Sequence, residues 1–378
     1  MPGLPLDRFR ARFPILGRRV YVNSCSQGAL STDVETALTA FTESWHAGGS
    51  PWEQWVEEVE RLRTLVAATI GADADEVAIM PSASVAIAAI ATALPFDRSR
   101  HKVVLGEFEF PTMAHAWLAQ APRGAEVAWA RPTGDALLPD AYAAVVDDRT
   151  RVVPVTHVCF RNGYRLDIPR IVALCHERGA YVFLDDYQHT GTAPLDVHAL
   201  DVDFMVTGAL KYLLGPSGIA FLYVRRSIIG KLTPLVTGWF GRANPFAFAP
   251  DRLDWSATAK RFEGGTPPVP NAYAAAAGLQ LLHAVGLDTI ERQVRLLMNR
   301  FTAGACARGL PLVTPADPAR RGPLAVVRAA NAADLVQRLE RRGIIASARG
   351  NGLRISFHAY NSEQDVDAVL DALEADHD

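Results

Sequence analysis

The stretch from Tyr181 to Arg226, YVFLDDYQHTGTAPLDVHALDVDFMVTGALKYLLGPSGIAFLYVRR, constrains this chain more than any other part of it. Short runs of β-branched and aromatic residues alternate with polar turns, the pattern of buried strands. YVFL ends in Asp185, Asp186 and Gln188. FMV ends at Thr207, with Lys211 four residues further on. GIAFLYV follows Gly215, Pro216 and Gly218. In an open α/β sheet, ligands sit at the carboxyl ends of the strands. An acid and a lysine, each just past a strand, therefore converge on one place.

A lysine amine forms a Schiff base with a carbonyl, and a carboxylate beside a pyridine nitrogen keeps that nitrogen protonated. The pair suggests pyridoxal phosphate (PLP), with Lys211 as the Schiff-base lysine and Asp185 as the acid. A surface lysine and a solvated turn carboxylate leave the same trace, so spacing alone keeps both readings open.

LDDYQ and TGALKYLLGPSGIAFLYV resemble the core signature of the class V (fold type I) aminotransferase superfamily, which includes cysteine desulfurases, kynureninase and isopenicillin N epimerase. The resemblance implies that Asp185 meets the ring nitrogen, Gln188 the ring hydroxyl, and Lys211 the cofactor carbonyl. It also implies the fold: a large domain with a mostly parallel seven-stranded sheet sandwiched by helices, plus a small C-terminal α+β domain. The expected division is an arm over 1–20, a large PLP-binding domain over 21–260 and the small domain over 261–378. Strand–helix alternation from 77 to 224 independently reads as a parallel sheet covered by helices.

Composition removes other classes. With 378 residues the chain can bury one large core or two domains. A net charge of −3 offers no electrostatic case for nucleic acid or an anionic membrane. The four cysteines are scattered without a CxxC pair, so neither a metal site nor a disulfide framework is expected, and a cytoplasmic location is. The longest apolar stretch, Val85 to Leu94, is too short to span a bilayer.

Outside the central stretch, several segments bear on the site. The strand Val77–Met80 runs through Pro81, Ser82, Ala83 and Ser84 into an Ala-rich helix over 85–94. Free amides at a helix start bind anions, although an ordinary Ser cap reads the same way. The family's Ser-Ala-Thr pattern implies that Ala83 and Ser84 hold the cofactor phosphate. Phe110, in Phe-Pro-Thr, falls where kynureninase stacks a phenylalanine on the ring, while Met113 stands where kynureninase has an Asp. The stretch around Cys25 is placed at the substrate pocket, and so is Trp239 of the Gly-Trp pair. The block Arg261 to Pro267 is similar to R-F-x-x-G-T-P, which would carry Thr266 to the phosphate of a neighbouring subunit and make a homodimer with a composite site. Read alone, GGTPPVP is a linker. Arg354, in an L-R-x-S…Y-N pattern, is implied to grip the substrate α-carboxylate, for which a guanidinium fork is well shaped. His157 reads as a structural histidine tying down a loop.

The expected activity is transamination of a small amino acid. The alternatives are a PLP lyase, by β-elimination or kynureninase-like C–C or C–S cleavage, and an epimerase. Ile344 to Arg354 contains no cysteine, which sets aside a persulfide-forming desulfurase. A fold recruited for binding alone would not require Asp185, Lys211 and Arg354 together.

Overall fold

The computed structural model describes residues 3–374; Met1 and Pro2, where the expected arm begins, lie outside them. In chain order the strands are β1 (Val20–Tyr21), β2 (Val77–Met80), β3 (Lys102–Gly106), β4 (Glu126–Ala130), β5 (Thr150–Thr156), β6 (Tyr181–Asp185), β7 (Phe204–Gly208), β8 (Ala220–Val224), β9 (Leu324–Arg328), β10 (Ile344–Ile345), β11 (Ser347–Arg349) and β12 (Gly352–Ser356). The helices are α1 (Leu6–Arg10), α2 (Thr32–Gly48), α3 (Trp52–Ile70), α4 (Ala83–Ala93), α5 (Pro111–Leu118), α6 (Pro139–Ala143), α7 (Ile168–Glu177), α8 (Arg226–Ile229), α9 (Val269–Val285), α10 (Leu287–Ala307), α11 (Ala332–Arg341) and α12 (Glu363–Glu374).

Seven strands form the central sheet in the order β2-β8-β7-β6-β5-β3-β4. Only β8 runs against its neighbours; β7, β6, β5, β3 and β4 are parallel. Their carboxyl ends therefore share one edge. Side chains alternate across the sheet with a period of two. Val182 and Leu184 enter the apolar core on one face. Phe183, Phe204 and Val206 enter a second core on the other. Covering both faces takes two helix layers, and that is why the strands read as near-continuous apolar runs.

A smaller antiparallel sheet, β11-β12-β9, follows. The N-terminal segment joins it: β1 pairs with β10, and Asn23 bridges to Ser356. Phe9 and Phe13 pack on Tyr360, and Arg10 pairs with Asp365 at 2.7 Å. Past residue 260 the chain first serves the large layer, with α9 lying against α2 and α3. The small sheet begins at Leu324.

Candidate active site

The carboxyl ends of the central strands open on a cavity of about 330 Å³. Its wall includes Asp185, Gln188, Lys211, Arg354, Phe110 and Cys25.

Lys211 lies in the connection between β7 and β8. Its backbone is clamped from the N-terminal segment. The Gly28 amide donates to the Leu210 carbonyl at 2.7 Å, and a Cβ on Gly28 would overlap the Lys211 carbonyl oxygen. Leu214, just beyond, takes a left-handed φ of 59°, a conformation that persists for a bulky residue only where its surroundings hold it. The Lys211 ammonium sits over the Tyr187 ring, 4.3 Å from the centroid. Burial pulls its pKa down to about 8, with Arg354 and Arg349 adding to the effect and Asp185 and Cys25 opposing it. A useful share of neutral amine is therefore present near pH 7.5.

Asp185 ends β6 and Asp186 follows it, and the two side chains point to opposite sides, as successive residues of an extended chain do. Asp185 faces the cavity, and its Oδ1 accepts from the Tyr187 amide at 3.0 Å. Burial raises its pKa to about 6 against the pull of that hydrogen bond and of Lys211. Behind it, Glu109 is buried, its Oε1 accepting from the Thr156 amide at 2.7 Å. Burial, then the charge of Asp185, holds the Glu109 carboxyl well above the usual range. Asp186 turns away from the cavity. It accepts from His157 Nδ1 at 2.6 Å, His189 Nδ1 at 3.3 Å and the Thr190 hydroxyl. The two histidines and their hydrogen bonds hold its carboxyl below the usual range despite burial. Burial pushes His157 down to about 4. A neutral His157 thus donates to an ionised Asp186 and ties the loop after β5 to the end of β6.

On the cavity wall, α4 begins at Ala83, two residues earlier than its apolar run suggests. The Ser82 side chain accepts from the Val85 amide at 3.2 Å, so this hydroxyl is committed to capping. Ala83 and Ser84 supply first-turn amides, which have no intrahelical partner. The Ser84 hydroxyl lies 3.4 Å from that of Thr112. Phe110 is partly exposed and meets Phe160 edge-on at 5.1 Å.

Arg354 is almost fully buried in β12. Its guanidinium donates to Ser26 Oγ at 2.7 Å, Ser347 Oγ at 3.1 Å and the Phe160 carbonyl at 3.2 Å. Three segments far apart in the chain thus aim it, and each is neutral. Cys25 is buried beside them, its Sγ 4.0 Å from Ser347 Oγ.

Lys211, Asp185, Gln188, Ala83, Ser84, Phe110, Cys25 and Arg354 thus come together. Thr266 and Trp239 do not. Thr266 is exposed in a bend, and Trp239 sits among Phe240, Phe246 and Phe248. Neither lines the cavity of its own chain. Sequence reasoning passed over Tyr187, Ser26, Thr112 and Arg349, which line it, and Glu109 behind it. Tyr187 stood inside LDDYQ and Arg349 inside RGNGLR, but nothing local separated them from solvent-facing residues.

Residues 34–369 match the class-V aminotransferase family. The chain belongs to that family. This class V protein is 34% identical, over 99% of both chains, to the uncharacterized aminotransferase YcbU of Bacillus subtilis. It is 30% identical to the kynureninase of Deinococcus radiodurans, over 98% of this chain and 94% of the other. The cysteine desulfurase of Thermococcus onnurineus NA1 shares the fold with a TM-score of 0.89 at 21% identity, over 99% of both chains. The cystine C–S lyase C-DES superposes with a TM-score of 0.87 at 22% identity, over 96% of this chain and 99% of that one. The class V family is PLP-dependent. The residues here fit that cofactor. A desolvated lysine and a carboxylate share the cavity, the residues that start α4 line it too, and the buried Gln188 Oε1 has no hydrogen-bond partner among the described residues.

Proposed function

We propose that this class V enzyme transaminates a small amino acid. One observation carries the reading: the Lys211 amine and the Arg354 guanidinium line the same cavity, with neutral groups alone holding the arginine. PLP, when bound, supplies the electron sink that makes an amino acid's α-proton labile. Arg354 forks onto the α-carboxylate, and its partners from Ser26, Ser347 and Phe160 fix the substrate's angle. Lys211 Nζ, with a pKa near the working pH, takes the proton from Cα and returns it elsewhere as general base and then acid. Asp185 would pair with the ring nitrogen and hold a proton there. Ala83 and Ser84 would hold the phosphate, Gln188 the ring hydroxyl, and Phe110 the face of the ring.

The segment from Ile344 to Arg354 is a tight hairpin without a cysteine, which disfavours a persulfide-forming reaction. A homodimer with a composite site follows from the same reading. It would bring Thr266 to a neighbouring phosphate, bring Trp239 to a neighbouring substrate pocket and cover the exposed Leu235, Phe246, Phe248 and Leu253. The four free cysteines suit a cytoplasmic location, and no helix of the described residues is long and apolar enough to cross a membrane.

The test is a screen of the purified yellow holoenzyme against amino acids, with and without a 2-oxo acid. Transamination predicts that an amino acid bleaches the colour, that its own 2-oxo acid appears, and that a second 2-oxo acid restores the colour. Release of pyruvate, alanine or a thiol without an acceptor makes it a lyase. Loss of optical activity without any product makes it an epimerase.

A further inference from the structure

The cavity wall carries four charged side chains: Asp185, Lys211, Arg354 and Arg349. On the amino-acid reading above, the first two serve the cofactor and the third the α-carboxylate. Arg349 is left without a task. We propose that Arg349 sets the substrate class of this site: it reads a second carboxylate, on the side chain of an acidic amino acid whose α-carboxylate lies on Arg354. The proposal rests on the amino-acid reading but not on amino transfer itself.

The hairpin geometry supports it. Arg354 on β12 stands directly opposite Ser347 on β11. Arg349 lies two residues beyond Ser347 on the same strand, so the two arginines project from one face of the hairpin. Diagonal neighbours of this kind lie roughly 7–8 Å apart, close enough for one short dicarboxylate to touch both.

The electrostatics agree. Among the described residues the Arg349 side chain makes one hydrogen bond, from Nη1 to the carbonyl of its own neighbour Ala348 at 2.8 Å. Among the described residues no carboxylate pairs with it or with Arg354. Arg349 stays solvent-exposed on the cavity wall; buried Arg63 has Glu60 and Glu263 and part-buried Arg10 has Asp365, whereas buried Arg261 is held by backbone carbonyls alone. Partial burial and then the charge of Arg354 weaken the hold of Arg349 on its proton. Two guanidinium groups in one cavity repel, and a bound dianion removes that repulsion. The cavity is about 330 Å³ and the cofactor takes part of it, so the side chain that reaches Arg349 is short.

Calorimetry on the holoenzyme separates this from an arginine that merely faces water. The probes are succinate against butanoate and glutarate against pentanoate, pairs of equal length. Each dicarboxylate is expected to bind about tenfold tighter than its partner, the worth of one charge-assisted hydrogen-bonded contact. Arg349→Gln should erase that preference while leaving butanoate and pentanoate unchanged, and Arg349→Lys should restore part of it. Equal affinities in the native enzyme, or a uniform loss in Arg349→Gln, overturn the proposal. A dicarboxylate preference in an enzyme that transfers no amino group keeps this proposal and discards transamination. Equal affinities in an enzyme that does transfer one discard this proposal alone.

Discussion

Lys211 Nζ lies 4.3 Å from the centre of the Tyr187 ring, and the Tyr187 amide donates to Asp185 Oδ1 at 3.0 Å. One residue thus touches both the amine and the acid. The ring fits because position 208 is glycine: a Cβ there would overlap the Tyr187 phenol. Burial raises the Tyr187 pKa, so the ring stays a neutral phenol beside the ammonium. The turn after β6 therefore sets the spacing of the two groups on which any PLP chemistry depends.

Lys211→Ala should abolish turnover and the yellow colour of the lysine-bound cofactor, while the circular dichroism of the fold stays native. Retained turnover in this variant would sink the assignment of Lys211.

Uptake of PLP by the cofactor-free protein needs a neutral amine. Burial depresses the Lys211 pKa to about 8 from 10.5, so the neutral fraction grows as pH rises through that value. The rate of colour formation after mixing should rise with a midpoint near pH 8, read by stopped-flow absorbance. A midpoint near 10.5 would mean that the lysine is solvated.

Arg354→Ala should weaken amino-acid affinity by roughly 100-fold, the scale of truncating one partner of a desolvated charge pair, with a smaller change in kcat. Arg354→Lys should recover only part, since an ammonium cannot fork. An unchanged KM in Arg354→Ala would remove the carboxylate clamp from the mechanism.

Asp185 has its pKa raised to about 6 from 3.8. In the cofactor-free protein it therefore contributes stability that is fully present below pH 3.8 and lost as pH rises through about 6. Above that, the fold carries a buried carboxylate that the unfolded chain solvates. Asp185→Asn should make the cofactor-free protein more stable at pH 8 by about 2 kcal/mol, and the gap should close on acidification. Urea unfolding at pH 8 and pH 4 measures it; a variant less stable at pH 8 contradicts the desolvation argument.

Asp186 is the opposite case, an ionised carboxylate satisfied by His157, His189 and Thr190. Asp186→Ala leaves buried donors without an acceptor and should lower the unfolding free energy by about 2–4 kcal/mol. The visible spectrum of the bound cofactor should be unchanged, because Asp186 faces away from the cavity. A spectral shift with unaltered stability would place Asp186 in the site instead.

Much of this was legible in the chain itself. Strands β6, β7 and β8 appeared as apolar runs because both sheet faces are covered, and a strand buried on both sides must be apolar at nearly every position. Asp185 and Lys211 could be placed at strand ends because a strand's end is a local event. The apolar run places the start of α4 two residues late, since Ala83 and Ser84 carry little apolar signal while the Ser82 cap that begins the helix is a hydrogen bond. Glu109 lies between Phe108 and Phe110 in the sequence, and nothing local marks it as buried. Its burial comes from packing against the strand end at Thr156, which no periodicity records.

The sequence by itself determined that β2, β3, β5, β6, β7 and β8 form, though not β4, where their polar ends fall, and that an acid and a lysine meet at one edge of a parallel sheet. These follow from period-two burial and from turn residues, which act over a few positions. Only the tertiary structure decided that Ser26 and Gly28 come from the N-terminus to orient Arg354 and clamp Lys211, and that Arg349 turns toward the cavity. It also decided that Trp239 and Thr266 stay outside their own chain's cavity. Contacts between segments hundreds of residues apart depend on how covered faces pack and which hydrogen bonds that packing closes, and no local pattern encodes either.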